Sequence, residues 1–394
     1  MKKLLFNENV VNLKPSASLA FMMKAKQMKA QGMDVVDLAG GEPDFATSMS
    51  IVEEAYRQMA AGNTHYAVGQ GIPELLERLQ KKFLEENNIT YQTNEILVTP
   101  GGKYAIYLTV NTLLNPGEEV MYLEPAWVSY VPIIEAAGAK AVPVVLSYEE
   151  DYKITLEALE ARVSEKTKLL IINYPNNPTG KTLSEQEAKV IECFMLAHPD
   201  VFLLSDEIYE RLIFDGTKHI SPASMESIHN RVITANGFSK SLAMTGWRLG
   251  YLAAPRYIME PVYKLYQHSV SCVSGFLQKA AVTALDCQEE IEEMRQAYQN
   301  RRDIFTGMLQ EIRGVKVRPA EGAFYAWVRF EKEGIDPADM GSFILNQARV
   351  VGVPGEAFGE GGKGCMRFSF ANDLDNLEKA ALRIKAAMEA QRCS

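Results

Sequence analysis

The sequence predicts an α/β protein: a mostly parallel, seven-stranded sheet flanked by helices, joined to a smaller α+β domain. Three observations carry this prediction. Seven short apolar runs of strand length alternate with longer amphipathic segments, the pattern of strands covered by helices on both faces. After about residue 287 the alternation stops, and a long polar helical stretch leads into shorter strand-like runs and further helices. The length, 394 residues, exceeds one minimal core.

Taken in order, the first forty or so residues precede the alternating pattern and are assigned to the smaller domain. The strand-like runs are residues 95–99, 119–123, 141–146, 168–172, 201–204, 231–235 and 249–254, with helical patterns between many of them, such as 73–87, 103–114 and 184–198. Past Cys287 a polar helix runs through Arg301 and Arg302, followed by strand-like runs at 315–317 and 323–330 and helices ending near Gln391. The expected division is therefore a large domain at residues 46–286 and a small one made of 1–45 and 287–394.

Apolar residues make up 47% and charged residues 23% of the chain, an ordinary soluble composition. A net charge of −9 argues against a nucleic-acid partner. The five cysteines are odd in number and show no CxxC spacing, which favours reduced thiols in a cytoplasmic protein over a disulfide framework or a metal site. The opening apolar run is broken by Asn7, Glu8 and Asn9, too early for a signal peptide, and no apolar stretch has membrane-spanning length.

Four motifs follow strand-like runs: Gly101-Gly102-Lys103, Asn177-Pro178-Thr179-Gly180, Asp206-Glu207-Ile208-Tyr209 and Ser239-Lys240. Open parallel sheets bind ligands beyond the carboxyl ends of their strands, so these segments converge in space. A lysine in a partly desolvated place has its pKa lowered and can act as a nucleophile, whereas Lys240 alone would be an ordinary surface charge. Gly101 and Gly102 open a helix whose free amides suit an anion, though a Gly-Gly is by itself more often a tight turn. Arg248 and Ser239 add a second set of anion donors. Asp206, just past an apolar run, is either a helix cap or a buried carboxylate paired with a cationic ring. Asn177 and Tyr209 can hydrogen-bond a phenolic oxygen, although Asn177-Pro178-Thr179-Gly180 is also an ordinary turn sequence. Trp127 either stacks on a ring or is core. Arg367 either clamps a carboxylate or is a surface strand residue.

These segments, together with Ala39-Gly40-Gly41-Glu42-Pro43-Asp44-Phe45, Gly71-Ile72-Pro73-Glu74, Trp127-Val128-Ser129-Tyr130, Gly322-Ala323-Phe324-Tyr325, Pro354-Gly355-Glu356-Ala357-Phe358-Gly359 and Arg367-Phe368-Ser369, occur in family order from about residue 14 to the last helix. The chain resembles the class I aminotransferases of pyridoxal-phosphate fold-type I, in the subgroup of bacterial aspartate aminotransferases. The resemblance implies pyridoxal 5′-phosphate as cofactor, no metal, and ping-pong transfer of an amino group between an L-amino acid and a 2-oxo acid. It implies Lys240 as the Schiff-base lysine and proton shuttle, Asp206 as partner of the ring nitrogen, Asn177 and Tyr209 on the ring oxygen and Trp127 on its face. Gly101, Gly102, Lys103, Ser239 and Arg248 would hold the phosphate, joined by Tyr66 from the other subunit of a homodimer. Gly41 and Arg367, with Trp127 and Asn177, would receive the substrate α-carboxylate. Lys103, Ser16 and Ser18 resemble the set that takes a distal carboxylate, favouring aspartate and glutamate.

Two departures from the family pattern stand out. Gly237 occupies a position that is often serine, and Ala126 one that is often tyrosine, a loss expected to widen the pocket or alter preference. Aromatic or broad-range transamination and other reactions on the same frame, such as β-elimination, racemisation or oxidation, are the alternatives. A non-catalytic pyridoxal-phosphate sensor of the kind fused to a helix-turn-helix is disfavoured by the retained Lys240, Asp206 and Arg367.

Overall fold

The computed structural model describes residues 6–13 and 17–390, without the side chains of residues 17–22. Its strands, in chain order, are β1 (Val36–Asp37), β2 (Ile96–Thr99), β3 (Glu119–Glu124), β4 (Lys140–Val145), β5 (Thr167–Asn173), β6 (Phe202–Asp206), β7 (Val232–Gly237), β8 (Gly250–Ala253), β9 (Val315–Val317), β10 (Tyr325–Phe330), β11 (Val350–Val351), β12 (Val353–Pro354) and β13 (Cys365–Ser369). Seven of them form the main sheet in the order β2-β8-β7-β6-β5-β3-β4. All neighbours pair in parallel except β8, which runs antiparallel to both β2 and β7.

The near-continuous apolar character of the strands follows from burial on both faces. Along β5 the side chains alternate between two cores: Leu170 and Ile172 join Val98, Leu203 and Val232 on one side. Leu169 and Ile171 join Leu97, Leu204 and Ile233 on the other. A third core belongs to the smaller sheet β12-β13-β10-β9, where Phe305, Phe324, Val328, Phe330 and Phe368 pack together. The polar helix expected after Cys287 is Gln288–Gln310, and it buries Phe305 and Leu309 in that core.

The early chain joins the late chain. β1 pairs in parallel with β11, Val36 opposite Val350 and Asp37 opposite Val351. The amide of Ser369 then donates to the carbonyl of Leu38 at 2.7 Å. These contacts place Ala39 to Glu42 between the two sheets. The run expected as a strand from residue 323 begins only at Tyr325, because Ala323 has φ +58° and its amide is bonded to the Leu212 carbonyl. Among the described residues, no helix is long and apolar enough to cross a membrane.

Candidate active site

The carboxyl ends of the parallel strands β2, β5, β6 and β7 lie at one edge of the sheet, and each feeds one motif: Gly101-Gly102 after β2, Asn177 after β5, Asp206 at the end of β6, and Ser239-Lys240 after β7. Gly102, Asn177, Asp206, Ser239 and Lys240, together with Gly41, Tyr325 and Arg367, line a cavity of about 420 Å³, which Lys103, Trp127, Tyr209 and Arg248 complete. Its wall carries four cationic side chains, Lys103, Lys240, Arg248 and Arg367, against two carboxylates, Glu42 and Asp206. A net positive cavity in a chain of net charge −9 is a local arrangement for anions.

Lys240 reaches the carbonyl of Gly41 with its Nζ. Burial, and then the neighbouring Arg367, push its ammonium down to about 8, against the opposing pull of Glu42. Amine and ammonium forms are thus both present near neutrality, which suits a group that must carry a proton. Asp206 is 6% exposed, and burial pushes its carboxyl up to about 6 although Tyr130 hydrogen-bonds it. The Tyr130 hydroxyl donates to Asp206 Oδ2 at 2.7 Å, and the amide of Ile208 reaches Oδ1 at 3.3 Å. The role of Asp206 as a helix cap does not apply: the residues after it form a turn, not a helix.

Arg367 is 5% exposed on β13. Its Nη1 donates to Asn177 Oδ1 and its Nη2 to the Ala39 carbonyl, both at 2.9 Å, while Nε has no partner among the described residues. The guanidinium lies over the Tyr325 ring, 4.3 Å from its centroid. A buried arginine with neutral partners and a spare donor is set up for an incoming carboxylate, since an unpaired buried charge is costly. Asn177 spends its oxygen on Arg367 and so keeps its amide as a donor; its own backbone N–H is anchored by Asn173 Oδ1 at 2.9 Å. The Tyr209 hydroxyl meets that of Tyr325 at 2.8 Å.

Gly101 has φ +89° and begins the helix Gly102–Leu113. A Cβ at Gly101 would stand 2.7 Å from Arg248 Nη2, so the φ favours glycine and any side chain would displace the guanidinium. Arg248 itself has φ +53° and donates to the Thr245 carbonyl at 2.7 Å. Helix amides, Ser239 and Arg248 make a cradle for a phosphate-like anion. A side chain at Gly237 would come within 2.9 Å of Gly250 Cα, so the strand pairing of β7 with β8 leaves no space for the serine expected there. Ala126 is buried, with its amide on the Phe358 carbonyl, and is not part of the cavity wall.

Lys103 lies in the wall, its Nζ 4.9 Å from the Trp127 ring centroid; burial and then Arg248 lower its pKa. None of Lys103, Lys240, Arg248 and Arg367 forms an ion pair among the described residues. Tyr66 is 91% exposed and takes no part in this cavity within its own chain. Ser16 falls outside the described residues, as does the side chain of Ser18. Sequence reasoning gave no role to Asn173, Tyr130 or Tyr325. Tyr130 and Tyr325 each lie inside a family motif, which was the available signal; Asn173 lies four residues before Asn177.

Behind the site, on the opposite side of β6, Glu207 accepts from Ser205 at 2.9 Å and Ser221 at 2.7 Å and meets His219 Nε2 at 3.0 Å. Glu210 lies close by and pairs with buried Lys82. Lys82 and His219 balance the two carboxylates, so this cluster reads as an internal counter-charge network.

Residues 33–384 match the family described as "Aminotransferase class I and II". The chain is 40% identical over 376 residues to an aspartate aminotransferase of Musicola paradisiaca, covering 95% of this chain and 94% of that one. It is 38% identical to an aromatic-amino-acid aminotransferase of Thermococcus litoralis, covering 92% and 94%. Among solved structures, the aspartate aminotransferase of Rhizobium meliloti superposes with a TM-score of 0.94 at 32% identity, covering 98% and 99%.

Proposed function

The chain belongs to the class I and II aminotransferases, and from that premise we propose that it binds pyridoxal 5′-phosphate in the cavity described and transaminates dicarboxylic amino acids, aspartate and glutamate, with 2-oxo acids. The residues present fit such a group. The cradle of Gly101, Gly102, Lys103, Ser239 and Arg248 suits its phosphate, Asp206 its ring nitrogen, Asn177 and Tyr209 its ring oxygen, and Trp127 its face. When bound, the cofactor supplies an electron-withdrawing ring that makes a substrate Cα proton acidic.

The chain's own groups do the rest. Arg367, helped by Gly41, holds the α-carboxylate and so orients Cα toward Lys240. Lys240 Nζ, with its lowered pKa, takes the Cα proton and later returns it. Asp206, when ionised, would pair with the ring nitrogen and favour its protonated form. Lys103 places a second cation in the same cavity for the distal carboxylate. Ser16 and Ser18 belong to the same proposal. We assign residues 46–286 to the large domain and 1–45 with 287–394 to the small one. We also take the working form to be a cytoplasmic homodimer in which Tyr66 of the partner subunit meets the phosphate, in keeping with the exposure of that residue here.

The observation that carries this reading is Arg367: buried, aromatic-stacked, without an acidic partner and with a spare Nε. The test is to load the protein with pyridoxal phosphate and follow cofactor absorbance as single amino acids are added without any oxo acid. Aspartate and glutamate should change the spectrum at the lowest concentrations. If only aromatic amino acids do so, transamination stands and the dicarboxylate preference is wrong. If no pyridoxal phosphate is taken up, the cofactor assignment fails.

A further inference from the structure

We infer that Tyr130 is a positioning residue of this site: its hydroxyl fixes the Asp206 carboxylate while its ring braces Trp127, so one side chain sets both the edge partner and the face partner of a bound aromatic ring. The inference rests on the pyridoxal-phosphate reading above. Tyr130 is 2% exposed and begins the short helix Tyr130–Ala136. Its hydroxyl gives Asp206 the shorter of the two hydrogen bonds that the carboxylate receives, 2.7 Å against 3.3 Å from the Ile208 amide. Its ring meets Trp127 edge-on, with centroids 5.3 Å apart and planes at 83°.

A buried carboxylate without donors takes up a proton rather than stay charged. Protonated Asp206 would have no negative charge to offer a ring nitrogen. Of its two donors, the Ile208 amide belongs to the adjacent backbone and is long; Tyr130 comes from 76 residues away and is the one a mutation can remove. The phenol also fixes the plane of the carboxylate, leaving Oδ1 as the freer oxygen. Phenylalanine in the same place would fill the same space and keep the Trp127 contact, so the fold alone does not call for the hydroxyl.

The experiment is a binding titration of pyridoxal phosphate to apoprotein, read by quenching of tryptophan fluorescence, for wild type, Y130F, D206N and the double variant, between pH 6 and 8.5. Far-ultraviolet circular dichroism confirms that each folds. Y130F should bind on the order of tenfold more weakly, the magnitude of a lost hydrogen bond to a charged group, and its deficit should grow toward pH 6 as Asp206 takes up a proton. In the D206N background, Y130F should cost little. Wild-type affinity and pH profile in Y130F, or an equal loss with and without Asp206, would overturn the inference. Failure of the wild type itself to bind would instead sink the cofactor reading, and this inference with it.

Discussion

The ionisation of Lys240 is open to direct measurement in the apoprotein. An ordinary lysine near 10.5 is about 0.3% amine at pH 8, whereas a group at about 8 is half amine, an excess of about 150-fold. The perturbation is pH, followed by two substitutions that remove one neighbouring charge each. Labelling with a small acylating reagent such as acetic anhydride, with the Lys240 peptide quantified by mass spectrometry from pH 6 to 11, gives the midpoint. The wild-type midpoint should fall near 8, against about 10.5 for an unperturbed lysine. Burial leads among the causes and Arg367 comes second. R367M should therefore raise the midpoint yet leave it clearly below 10.5. Glu42 opposes the shift, so E42Q should lower it. A wild-type midpoint at 10 or higher would refute the reasoning. Full recovery of 10.5 in R367M would show that charge, not desolvation, holds the amine.

Other substitutions probe separate parts of the structure. R367K keeps the charge but loses the fork that bonds Asn177 and Ala39, and should lower kcat/KM for every amino acid by about 10- to 100-fold; K103M should lower it for dicarboxylates alone, as steady-state kinetics on aspartate and a neutral amino acid will tell. G101A puts a methyl group 2.7 Å from Arg248 Nη2 at a φ of +89° and should cost about 1–3 kcal/mol in strain, measurable as faster loss of pyridoxal phosphate on dialysis; unchanged retention would mean that the cradle adjusts freely. K82M leaves Glu210 buried without its main counter-charge and should destabilise the apoprotein by about 3–5 kcal/mol in urea, an effect below about 1 kcal/mol counting against the network. Burial alone would raise the Glu210 carboxyl, but Lys82, His219 and Arg211 outweigh it and hold it down to about 2, from 4.5. Its contribution is thus present above pH 4.5 and fades as pH falls toward 2. The K82M deficit should shrink over that window.

The sequence displayed the large sheet clearly because strands buried on both faces cannot hide their composition. The runs at 168–172 and 315–317 correspond to β5 and β9 almost residue for residue. The run at 201–204 stopped short of Ser205 and Asp206, which continue β6, since polar residues look like a strand's end until their partners are known. Ser205 bonds Glu207, and Asp206 bonds Tyr130 from another helix. Such partners arise from tertiary packing, so no local pattern could assign Tyr130 its place. β1 and β11 are two residues each, too short for any periodicity to register. Lys240, Asp206, Asn177, Arg248 and Arg367 were readable because each sits in a motif beyond a strand or beside a glycine run. Ala126, read as the loss of a ring from the family pattern, is itself buried and outside the cavity wall.

The pairing of β1 with β11 bears on how the protein is made. During synthesis Val36 and Asp37 leave the ribosome more than three hundred residues ahead of Val350 and Val351, and Leu38 waits longer still for Ser369. The main sheet, complete at Ala253, can assemble while the chain is still growing. The segment before Gly41, by contrast, gains its strand pairing only once the late strands exist, and Arg367 arrives with them. A nascent chain halted before β13 would thus carry a finished sheet, Lys240 and Asp206, yet lack the arginine proposed to hold an amino acid. The cavity is completed near the end of translation, when the first strand finds its mate and Arg367 is in place.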